Sequence, residues 1–95
     1  MAQEVIEKES KSGETQPYPN YRVILLNDSH HTFDYIETCL QKHIPGMSTD
    51  RAHQLVIKAN KDGAATVWVG PKELAEMYHE LLRADGLTTA IEPAG

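Results

Sequence analysis

The sequence has a single cysteine, few basic residues and no long apolar run. One thiol, Cys39, among 95 residues excludes an internal disulfide framework and suits a reducing compartment. No apolar stretch approaches the roughly 20 residues that span a bilayer. No basic segment followed by an apolar one opens the chain, so neither secretion nor a membrane partner is expected, and a cytoplasmic location is. Lys and Arg number 9 against 14 Asp and Glu, which leaves a net charge of −5 with no basic cluster. A phosphate backbone would be repelled by that balance, so nucleic acid is not an expected partner. Cationic groups, a free α-amino group among them, suit such a surface better.

Within a length that suits one domain, the residues present outline its plan. Residues 1–19 are polar and interrupted by Pro17 and Pro19, and they read as a flexible tail ahead of a domain spanning 20–95. The β-rich run Tyr21-Arg22-Val23-Ile24-Leu25-Leu26 predicts a strand ending at the turn residues Asn27-Asp28-Ser29. Thr32 is placed to cap a helix in which Phe33, Ile36, Leu40 and Ile44 recur at helical spacing beside Cys39. Asp34, Glu37 and Gln41 then face outward, and Pro45-Gly46 stops the helix. Ser48 or Thr49 caps a second helix with the stripe Ala52, Leu55, Val56 and Ala59, closed by Asp62-Gly63. A strand over 64–69 follows. Pro71, as first helical residue, opens a third helix striped by Leu74, Met77, Tyr78, Leu81 and Leu82, and Asp85-Gly86 ends it. A last strand runs over 87–92 until Pro93. The expected fold is α+β, a single β-α-α-β-α-β domain whose three-stranded sheet carries the helices on one face.

The opening strand and its Asn-Asp turn, Tyr21 to Asp28, resemble those of the ClpS family. The similarity continues through Leu40-Gln41-Lys42, passes an apparent insertion near Pro45, and resumes at Arg51-Ala52, Gln54-Leu55, Asn60-x-x-Gly63 and Glu73-Leu74-Ala75-Glu76. Members of that family resemble the C-terminal domain of the ribosomal stalk protein in fold. They hold the first residue of a substrate, usually Phe, Tyr, Trp or Leu, and dock on the N-terminal domain of a Clp ATPase of ClpA or ClpC type. The resemblance therefore implies an adaptor, not an enzyme, that delivers proteins bearing a destabilising N-terminal residue to a Clp protease. It implies no cofactor.

An α-ammonium group has three donors and a positive charge, so its receptor must supply acceptors, one of them preferably ionised. By resemblance the amine would meet Asn27, Asp28, Asn60 and His31, with Phe33, Ile36, Val56, Ala59 and Leu87 around the apolar side chain, and Glu73 would touch the chaperone. Each has a plainer role too. Asn27 and Asp28 make ordinary Asx turns, the apolar set packs a core, and Glu73 is a first-turn acid favoured by the helix dipole. Several positions depart from the family pattern. Phe33 replaces a gating Met, Asn60 a His, Ser29 an acid, His31 a Thr and Tyr78 a partner-contacting Lys, with Tyr78 best read as packing. These changes keep open a second possibility, a docking module of the same fold that binds a Clp chaperone or another protein without reading N-termini.

Metal and catalytic chemistry find little support. His30, His31, His43, His53 and His79 form no His-x-x-x-His on one helix, and Cys39 lies next to no histidine at zinc-finger spacing. Asp28, Ser29 and His30 are contiguous, and neighbours on an extended segment point apart, which does not build a triad. So small and charged a chain is expected to be a monomer.

Overall fold

In the computed structural model, residues 19–94 are described, so the expected tail lies, except for Pro19, outside the described residues. The elements are β1 (Tyr21–Leu26), α1 (Phe33–His43), α2 (Thr49–Asp62), β2 (Ala64–Gly70), α3 (Lys72–Ala84) and β3 (Thr89–Pro93), the expected β-α-α-β-α-β order. The sheet order is β2-β1-β3, with β1 in the centre and antiparallel to both neighbours. Strand alternation sends Val23 and Leu25, 0% and 1% exposed, into the core with Ala65 of β2. Arg22 faces the other way and pairs across the sheet with Glu92, its Nε 2.9 Å from Oε2. A bulge opposite Val23/Ile24 inserts Val67 into β2, and Val67 is buried as well.

Local chemistry sets the helix ends. The Thr32 hydroxyl accepts the Tyr35 N–H and the Ser48 hydroxyl accepts the Arg51 N–H, both at 3.1 Å, so Ser48 rather than Thr49 is the second cap. At the end of α3 the Gly86 N–H donates to the Arg83 carbonyl and the Leu87 N–H to the Leu82 carbonyl. Gly86 stands at φ 94° to make this helix-ending motif possible. Because Leu87 is spent on it, β3 begins at Thr89, two residues later than the alternation suggests. Pro71 similarly sits one position earlier than expected, as the cap before Lys72.

The larger correction concerns α3. Leu74, Met77 and Leu81 are 40%, 44% and 37% exposed, while Ala75 and Leu82 are fully buried. The small Ala75 faces inward beside Tyr78, whose ring meets the Trp68 ring edge-on at 4.8 Å. The buried face is therefore Ala75–Tyr78–Leu82, displaced from the stripe counted along the sequence. Glu37 also departs from expectation. It is largely covered, because the His53 ring on α2 donates Nδ1–H to its carboxylate at 2.7 Å.

Candidate functional site

Where β1 runs out, the chain turns sharply. The Asn27 N–H donates to the Gly63 carbonyl at 3.1 Å, tying this corner to the entry of β2. Asp28 makes an Asx turn, its Oδ1 accepting the His30 N–H at 2.7 Å. Its Oδ2 lies 2.6 Å from His31 Nδ1, and since an ionised carboxylate only accepts, His31 donates through Nδ1. The Asp28 side chain is 1% exposed. Burial would push its carboxyl up, but the His30 amide and the His31 ring outweigh burial and hold it below the ordinary value of 3.8.

A cavity opens beside this turn, lined by Leu25, Leu26, Asn27, Asp28, Phe33, Ile36, Val56, Ala59 and Asn60. The structure thus brings together Asn27, Asp28, Asn60, Phe33, Ile36, Val56 and Ala59 of the residues marked out from the sequence. His31 and Leu87 are not among the lining residues. The His31 ring turns away to bond Asp28 and to stack on Tyr35, centroids 4.9 Å apart. Leu87 is buried in the core, 4% exposed, where its helix-ending N–H bond places it. Leu25 and Leu26 also line it, although their sequence pattern marks them only as part of a strand. Strand-end position was the available signal, since the two leucines immediately precede Asn27.

The cavity is small, about 10 Å³, barely the space of a water molecule. Ile36, Val56 and Ala59 are buried in the core and fixed by packing. Phe33, at the first turn of α1, is 39% exposed, the least confined apolar part of the wall. The lining includes the amide side chains of Asn27 and Asn60, both exposed, and the ionised carboxylate of Asp28. An ammonium at the mouth and a hydrophobic group below match that arrangement.

Glu73 lies elsewhere. It lines a larger cavity of about 560 Å³ at the start of α3 with Pro19, Tyr21, Pro71, Lys72 and Glu76. The Lys72 ammonium stands 5.5 Å from the centre of the Tyr21 ring there. Tyr78 packs against Trp68 instead of pointing to that surface. Among the described residues no group of three or more His, Cys, Asp or Glu is placed to share a metal ion, and no helix is long and apolar enough to cross a membrane. Cys39 is buried, and burial pushes its thiol up from the ordinary value of 9.0, the opposite of an activated nucleophile.

Known proteins are similar to this chain in sequence and fold. The family model described as ATP-dependent Clp protease adaptor protein ClpS matches residues 16–90. The ATP-dependent Clp protease adapter protein ClpS of Thermosynechococcus vestitus is 48% identical over 90 residues, covering 94% of this chain and 96% of that one. The protein of the same description from Synechocystis is 55% identical over 73 residues, 77% of this chain and 74% of its own. Among solved structures, Agrobacterium tumefaciens ClpS2 bound to L-phenylalaninamide superposes with a TM-score of 0.75 at 26% identity, over 79% of this chain and 96% of that one. With its sequence matched from before β1 into β3 and its β-α-α-β-α-β fold shared, the chain belongs to the ClpS family of ATP-dependent Clp protease adaptors.

Proposed function

We propose that this adaptor grips proteins by the α-ammonium group and bulky apolar side chain of their first residue and delivers them to a Clp ATPase–protease. The observation that carries the reading is the meeting of Asn27, Asn60 and the ionised Asp28 with the apolar walls Phe33, Ile36, Val56 and Ala59 in one cavity. L-phenylalaninamide, held by the structural relative, has the two features this cavity addresses, a free amine and a phenyl side chain. In this reading Phe33 swings outward to admit the side chain, and the ammonium donates to the Asn27 and Asn60 carbonyls above the Asp28 charge. The chain performs no chemistry of its own. Glu73 contributes to the face that meets the N-terminal domain of the ATPase, of ClpA or ClpC type. The adaptor works as a monomer in the cytoplasm, where its lone thiol stays reduced.

Fluorescence anisotropy with short labelled peptides that differ only in residue one, each with a free or acetylated amine, tests the binding step. Micromolar or tighter affinity, about −8 kcal/mol or better, is expected for at least one bulky apolar first residue and is expected to vanish on acetylation. A second reading has its own observation. Asp28 already has a partner at each carboxylate oxygen and the cavity holds only about 10 Å³, as in a docking module that does not read N-termini. Equal affinity for free and acetylated peptides, with retained binding to a Clp N-terminal domain, would select that module.

A further inference from the structure

The role proposed for the cavity leaves one contact without a purpose, the short bond between Asp28 and a histidine outside the lining. Resting on that reading, we infer that His31 is a positioning residue for substrate capture: its Nδ1–H holds the Asp28 carboxylate in one orientation at the cavity wall, where that carboxylate can attract the ammonium.

The geometry is specific. His31 Nδ1 lies 2.6 Å from Asp28 Oδ2, and the other oxygen takes the His30 amide, so the carboxylate has no freedom to rotate. The imidazole is itself braced. One face stacks on Tyr35, whose hydroxyl donates to the Asp85 carbonyl, and Nε2 abuts Gly86, where an added Cβ would stand 3.2 Å away. The groups facing His31 are Asp28 and His30 from the turn after β1 and Tyr35 from α1. Behind Tyr35 stands Asp85 at the end of α3. Asp28 is the carboxylate in direct contact with the ring.

The consequence is electrostatic. Asp28, held ionised, puts a negative charge on the wall it shares with Asn27 and Asn60, and an ammonium is drawn to it. Released from the imidazole N–H, the carboxylate is free to rotate away from that position, so loss of the His31 donor should weaken capture of a free first residue.

Anisotropy of a Phe-first peptide near neutrality, with its amine free or acetylated, gives the test in wild-type protein, His31→Asn, His31→Gln and His31→Ala. Asparagine places an amide N–H where Nδ1–H stands, and glutamine, one methylene longer, places it elsewhere. His31→Ala and His31→Gln are expected to bind the free-amine peptide about tenfold more weakly than wild type, the size of a lost charge-assisted contact, and His31→Asn to recover most of that loss. Wild-type affinity in His31→Gln, or a His31→Asn as weak as His31→Gln although both melt as wild type does, overturns the inference. These two variants decide the question even if His31→Ala does not fold. Failure of the underlying reading looks different: wild-type protein would then bind free and acetylated peptides alike, and the positioning role would fall with it.

Discussion

His43 on the last turn of α1 and Asp85 at the end of α3 are joined by a 2.8 Å bond from Nε2 to Oδ2. The His43 hydrogen bond outweighs partial burial and holds the Asp85 carboxyl below its ordinary value of 3.8, with the Lys42 charge adding to the effect. A folded-state value below the unfolded one gives stability that is complete above that ordinary value and lost as pH falls through the folded one. Asp85→Asn should lower the melting temperature near neutrality and flatten its decline in acid below about pH 4. Melting curves of both proteins across that range provide the check.

Phe33 should act on selectivity more than on stability. Its ring is part exposed over a cavity of about 10 Å³ bounded by the buried Ile36, Val56 and Ala59. Phe33→Ala is expected to cost at most about 1 kcal/mol of folding stability, as for a half-exposed side chain. It should also raise affinity for Trp-first over Leu-first peptides, because the mouth no longer needs to be displaced. Equilibrium unfolding and a competition assay with the two peptides measure these effects separately.

The displaced face of α3 gives a contrast within one helix. Leu82 is 0% exposed, and Leu82→Ala should cost about 2–5 kcal/mol, enough to unfold much of so small a domain. Leu74→Ala and Met77→Ala, at exposed positions, should each stay within about 0.5 kcal/mol in urea titrations.

Cys39 supplies an internal reporter of folding. It is 3% exposed and its thiol is pushed up by burial, so a disulfide-exchange reagent at mildly alkaline pH should react slowly with native protein and at once in denaturant. Labelling as fast in the native state as in the unfolded one would place the thiol outside the core.

Much of this was legible in the residues. Thr32 and Ser48 act through hydroxyls that reach the next turn, and Gly63 and Gly86 through backbone conformation; neither needs a partner far away in sequence, so helix ends are readable to within a residue or two. The buried face of α3 was not, because which side of an apolar helix goes inward depends on the sheet beneath. Small Ala75, not the larger Leu74, permits close approach. At the site, the resemblance marked Asn27, Asp28 and Asn60, and strand and helix geometry then gathers them in one cavity. The orientation of His31 was hidden, since both loop residues Asp28 and His31 had several possible partners until Tyr35 and Gly86 fixed the ring.

The most direct measurement is an amide chemical-shift map of the isotope-labelled protein titrated with L-phenylalaninamide, with its N-acetylated form as control. Saturable shifts clustered at Asn27, Asp28, Phe33, Ile36, Val56, Ala59 and Asn60, given by the free amine alone, are expected. Shifts confined to the surface around Tyr21, Lys72 and Glu76, or the same pattern from both compounds, would contradict the placement of the first residue in this cavity.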